Sequence, residues 1–136
     1  MKRKILYSLL IVMMALPALV KAQSPGNPVI YKDWEMIIES TTLLDVSFRV
    51  IKCDTANQIH LMIFNENTMS QTAHFDLEIT NTDSGEKFTK EINFAATKAT
   101  VHKALCDFDA SLEALKFNIP ANFNPGSLTV KLTFKP

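Results

Sequence analysis

From Val46 to Ile79 apolar and polar residues alternate with a period of two, interrupted twice by short polar runs. Val46, Phe48 and Val50 share one side, with Ser47 and Arg49 between them, which is the pattern of a half-buried strand. Lys52 to Asn57 is polar and has turn chemistry; Ile59, Leu61 and Ile63 then resume the alternation. A second polar run, Asn65 to Ser70, precedes Ala73, Phe75, Leu77 and Ile79. Folding these last two strands about Thr68 as a hairpin sets Ile59 against Leu77, Leu61 against Phe75 and Ile63 against Ala73. All six partners are then apolar, so one register satisfies every pair. A slip of one residue would turn His60, Asp76 and Glu78 inward, at a cost of several kcal/mol for unpaired buried charge. The same register sets His60 against Asp76 and His74 against Met62 on the outward side, and leaves His102 without an assignable partner.

The flanking stretches extend the pattern. Trp34 to Ser40 reads as a short edge strand, with Trp34 capping the core beside it. Thr82-Asp83-Ser84-Gly85 suits a tight turn, and Phe88, Ile92 and Phe94 then share a face that Lys90 interrupts. Ala99, Val101 and Leu105 form a weaker strand pattern, and Leu112 to Leu115 fits one helical turn. Leu115, Phe117 and Ile119 alternate again up to Pro120. Asn122 to Gly126 is a turn by composition, and Leu128, Val130, Leu132 and Phe134 form the most regular run of all, as expected of a strand inside a sheet or closing a sandwich. Seven to eight short strands, turn signals about every ten residues and no amphipathic helix predict an all-β, single-domain antiparallel β-sandwich. At the level of fold the chain resembles an immunoglobulin-like or fibronectin-like module. It departs from the antibody pattern, because its one tryptophan precedes the first cysteine instead of lying between the two.

The first residues belong to a different pattern. Lys2, Arg3 and Lys4 precede an almost unbroken apolar run from Ile5 to Leu16, and Val20-Lys21-Ala22 places small or aliphatic residues where a signal peptidase reads. The chain is expected to carry a signal peptide over 1–22, a flexible lead over 23–32 and a sandwich domain over 33–136. About a dozen apolar residues are too few for a membrane span, which needs roughly 20. Cleavage after Ala22 removes four of the 14 basic residues and leaves ten against 14 acidic ones, a formal charge of −4. The remaining lysines are scattered singly, so no nucleic-acid footprint is visible. The expected location is secreted or periplasmic.

Export makes Cys53 and Cys106 informative. An even pair in an oxidising compartment, each at a strand end and each followed by Asp, predicts a disulfide. The short-spaced cysteine pairs that zinc prefers are missing. A bridge would draw Asp54 and Asp107 together, with Asp109 nearby, as three carboxylates able to hold calcium; the competing reading is that they are turn formers bonding their own backbone.

The chain has no His-Glu-x-x-His, no Gly-x-Ser-x-Gly and no phosphate-cradling glycine loop. No catalytic residue and no cofactor is expected. Met62 and Phe64 point outward if Leu61 and Ile63 point in, so that face is either covered by loops or used for contact. With Trp34, Phe108 and Phe123 they are the candidate binding residues. Export, a sandwich and missing catalytic chemistry favour a non-catalytic binding module that contacts a protein or a surface polymer. A carbohydrate- or small-ligand-binding domain, with Trp34, Phe108 or Phe123 stacking on sugar, is the first alternative. An inhibitor or assembly factor for another exported protein is the second.

Overall fold

A computed structural model describes residues 27–38 and 41–136. The stretch expected to be a signal peptide, with its expected cleavage position, lies outside the described residues. Among the described residues eight strands follow in order: β1 (Val29–Ile38), β2 (Leu44–Cys53), β3 (Ala56–Asn65), β4 (Gln71–Asn81), β5 (Lys87–Ala96), β6 (Thr100–Lys103), β7 (Lys116–Asn118) and β8 (Leu128–Phe134). A 3₁₀ turn, Glu113–Leu115, stands where one helical turn was expected. β1 begins four residues inside the stretch expected to be a flexible lead, because Val29 and Ile30 pair with Lys52 and Ile51 of β2.

The strands form two antiparallel sheets. The larger has the order β1-β2-β3-β6, with β7 also paired to β3; the smaller has the order β5-β4-β8. β2 and β3 are joined by a two-residue hairpin loop in which Asp54 takes a positive φ of 53°, the region such short loops require. β4 and β5 form a second hairpin, turned through Gly85 at φ 75°. An immunoglobulin constant-type domain places its second and third strands in different sheets. Here they pair along their whole length, so the strand order departs from that fold.

The expected hairpin between β3 and β4 does not form. β3 pairs with β2, setting Val46 against Ile63, Phe48 against Leu61 and Val50 against Ile59. β4 lies in the other sheet, where Ala73, Phe75 and Ile79 pair with Phe94, Ile92 and Phe88 of β5. Residues Ile59, Leu61, Ile63, Ala73, Phe75, Leu77 and Ile79 all point into the core, as their alternation demands, but from opposite sheets. An apolar stripe specifies which side is buried and not whether its partner lies beside it or across the core; both satisfy burial equally. Of the two places expected for β8, inside a sheet or closing the sandwich, it does not take the first: among the described residues it pairs with β4 at the edge of the smaller sheet.

The core closes with aromatic contacts at both ends. Phe75 meets Phe134 edge-on at 5.7 Å between ring centroids, and Phe88 meets Phe123 at 5.5 Å. Fully burying a side chain of this kind contributes roughly 2–3 kcal/mol. Asn65 is the buried polar residue at the crossover between sheets: its side-chain amide donates to the carbonyls of Ala96 and Met69, and its oxygen accepts the Asn67 N–H. β3 therefore ends in a polar clamp that ties the larger sheet to β5. Beyond β3 the edge of the larger sheet is broken, with β6 pairing Met62 to Asn65 and β7 pairing Gln58 to His60. The residues between them, 104–115, form the loop that carries Cys106.

Candidate functional site

The outer side of the larger sheet is not the polar, solvated surface that period-two alternation would suggest. Arg49 of β2 pairs in register with His60 of β3, which pairs with Lys116 of β7. Trp34 of β1 adjoins the row, with the Arg49 guanidinium 4.8 Å and the Lys103 ammonium 5.2 Å from its ring centre. His60 is completely buried within it.

The hydrogen bonds of His60 fix its tautomer. Arg49 Nη2 donates to His60 Nδ1 at 3.2 Å, so the ring proton must sit on Nε2. That N–H donates to Gln58 Oε1 at 2.9 Å and also faces Cys53 Sγ at 3.6 Å. Burial, reinforced by the positive charges of Arg49 and Lys116, pushes the imidazole pKa down to about 4, so the ring is neutral at pH 7. Burial also lowers the Arg49 pKa, with the Asp33 carboxylate opposing that shift. Arg49 Nε is shielded and has no hydrogen-bond partner among the described residues.

Cys53 and Cys106 form a disulfide, with Cα atoms 5.5 Å apart. It joins the end of β2 to the loop after β6, strands that flank β3 on either side, and His60 lies against it. Lys116 holds the cysteine loop from beneath: its ammonium donates to the carbonyls of Leu105 and Asp107, on both sides of Cys106, and pairs with Glu113 at 2.6 Å. The ligand-type atoms of Cys53, His60 and Cys106 lie within 4.8 Å of one another. In the oxidised protein this trio is not a metal centre, because both sulfurs are spent in the bond and the nitrogen facing them carries the proton.

Further along the same side, Met36, Asp45, Ser47, Met62, Phe64 and Val101 line a shallow hollow of about 160 Å³. Met62 and Phe64 are half-buried, whereas Met36 and Val101 are 55% and 52% exposed. Phe108, in the cysteine loop, is 80% exposed. Phe123, expected at the surface, is instead buried against Phe88, and Trp34 is half-buried among its cations. A more open cleft of about 500 Å³ lies between the sheets at the other end, near Ile38, Gln71 and Phe134. His74 stands at its margin and bonds Glu91 at 2.8 Å, and Lys135 bridges Asp76 and Glu91. His102 accepts the Thr97 N–H and lies edge-on to Phe94.

Comparison with protein-family models, with curated proteins and with solved structures finds no match.

The three carboxylates considered for calcium do not converge. Among the described residues, Cys53, His60 and Cys106 form the group of three that could share an ion, and Asp54, Asp107 and Asp109 do not. Asp109 is a turn former: its carboxylate accepts the Ser111 N–H at 2.9 Å and hydroxyl at 2.6 Å, and these bonds hold its pKa below the usual carboxylate range. The Arg49–His60 pair was missed because β3 was expected beside β4, which gave His60 to Asp76. Its only sequence signal is that Arg49 and His60 both fall at outward positions of adjacent strands.

Proposed function

We propose that the chain is an exported, non-catalytic β-sandwich module that binds a protein partner through the outer side of its larger sheet. One observation carries this reading: Met36 and Val101 stand more than half exposed around an apolar hollow floored by Met62 and Phe64, with the aromatic ring of Phe108 free in the loop beyond. A contiguous apolar patch offers a partner apolar area that can be removed from water in one contact, which scattered side chains do not. Export is supported by the charged and apolar pattern of the first residues together with the disulfide. Trp34 is already engaged by Arg49 and Lys103, which weighs against a ring held ready for sugar.

The test is affinity capture from an extract of the source cells' envelope and medium, run in parallel with the wild type and with Met36→Glu/Val101→Glu. A protein retained by the wild type and lost by the double variant, with the melting temperature unchanged, is the expected result. Equal retention by both would move the contact elsewhere. A sugar signal in a glycan screen without any protein would replace this reading with a carbohydrate-binding one.

A further inference from the structure

The surroundings of the disulfide are asymmetric. Cys53 is buried, only 7% exposed, whereas Cys106 is half-buried in a loop whose neighbours Leu105, Asp107 and Phe108 face solvent. Among the described residues, the N–H that faces a sulfur is His60 Nε2–H, which bonds Gln58 Oε1 at 2.9 Å and faces the buried Cys53 at 3.6 Å. Behind that ring stands the Arg49 guanidinium, and Lys116 lies under the Cys106 loop. A purely structural bridge requires neither a donor on one of its sulfurs nor cations around it. A sulfur that must accept an electron pair is stabilised by both.

We propose that Cys53–Cys106 is a thiol–disulfide exchange site for a dithiol reductant, attacked at Cys106, with Cys53 as the leaving sulfur. The inference is independent of the protein-binding reading. A thiolate of the reductant attacks Cys106 Sγ; the Cys53–Cys106 bond breaks, and its electron pair passes to Cys53 Sγ. Cys53 leaves as a thiolate that accepts the His60 Nε2–H, which turns toward it from Gln58 Oε1. The second reductant thiol, after losing its proton, attacks the reductant's sulfur in the mixed disulfide and expels Cys106 as a thiolate. The reductant departs as a disulfide, two electrons have entered the protein, and the two protons of the dithiol end on Cys53 and Cys106. The charges facing the pair are Arg49 from β2, Lys116 from β7 and Glu113 from the 3₁₀ turn, with Asp33 of β1 acting on Arg49. Asp54 and Asp107 flank the two cysteines in sequence.

The position of attack is read on the unaltered protein. Glutathione, a monothiol, is added to the oxidised chain, the reaction is quenched in acid and the mixed disulfide is mapped by peptide mass spectrometry. Glutathione on Cys106 in at least about tenfold excess over Cys53 is expected, since the leaving thiolate is the better stabilised one. Glutathione on Cys53, or shared equally, overturns the proposal. The rate of reduction by dithiothreitol tests the role of the imidazole. His60→Phe should slow it about tenfold, equivalent to roughly 30 mV if the effect persists at equilibrium. Gln58→Leu, which leaves the Nε2–H to Cys53 alone, should hasten it severalfold and keeps the test open if the phenylalanine variant does not fold. A Gln58→Leu rate equal to that of the wild type, or a wild-type rate that stops rising with dithiothreitol concentration at the unfolding rate, also overturns it.

Discussion

His60 is where a single residue couples the fold to pH. Unfolded, its imidazole takes a proton near pH 6.5; folded, only near about 4. Between these values the unfolded chain binds more protons, so stability falls as pH is lowered from about 6.5 toward 4 and the loss is complete below the folded value. The shift amounts to a loss of roughly 3 kcal/mol at most. Glu78, Glu91 and Asp109, whose pKa values lie below the ordinary carboxylate range, lose stability at still lower pH and do so in either protein. The difference between wild type and His60→Phe in urea unfolding should therefore grow in favour of the variant from pH 7 to pH 4.5. Parallel curves would show that the ring is protonated without cost. Asn65 is another buried polar residue, with its amide bonded to the carbonyls of Met69 and Ala96 and its oxygen to the Asn67 N–H. Nothing in the run Asn65 to Ser70 signals its burial, because turn chemistry and an interior clamp use the same side chain.

Among the elements, β3 has the most complex surroundings. It is flanked along one side by all of β2 and along the other by two short pieces, β6 and β7, separated by the cysteine loop. Lys116 supplies the order that backbone pairing does not, through two carbonyls and the Glu113 carboxylate. Lys116→Met keeps the aliphatic stem and removes those bonds, at a cost of about 1–2 kcal/mol. Hydrogen exchange should rise at residues 105–115 and stay unchanged in β4 and β5. Protection lost evenly across both sheets would instead make the loop part of the global unfolding unit. The edges of the sheets are guarded by different means. β1 has three register breaks along its pairing with β2 and carries the Lys32–Glu35 ion pair, and β5 shows Lys87, Lys90 and Glu91 to solvent. Irregular pairing and charge both discourage a second chain from adding to the edge.

At the scale of the whole molecule, two sheets of unequal width are held by one core and one covalent link. The link closes a segment of 53 residues, which in the chain-entropy account stabilises the fold by about 4 kcal/mol. Cys53→Ser/Cys106→Ser should lower the free energy of unfolding by roughly that amount while preserving the far-ultraviolet circular dichroism of a β-sandwich. A loss under about 1 kcal/mol would mean that the unlinked chain is already restrained when unfolded.

The alternation of Val46, Phe48 and Val50, of Ile59, Leu61 and Ile63, and of Ala73 to Ile79 was enough to determine strands and an inward face, because a strand that buries one side can place its apolar residues only at every second position. Pairing of Cys53 with Cys106 was also legible, since no other cysteine competes. What the chain alone left open is which sheet each strand joins. The hairpin that sets Leu61 beside Phe75 and the sandwich that sets it across the core bury the same atoms, and only the complete tertiary structure distinguishes them. That choice also decides the site. With β2 beside β3, His60 meets Arg49 and the disulfide instead of Asp76, because contacts between strands depend on partner and register, which no single strand encodes.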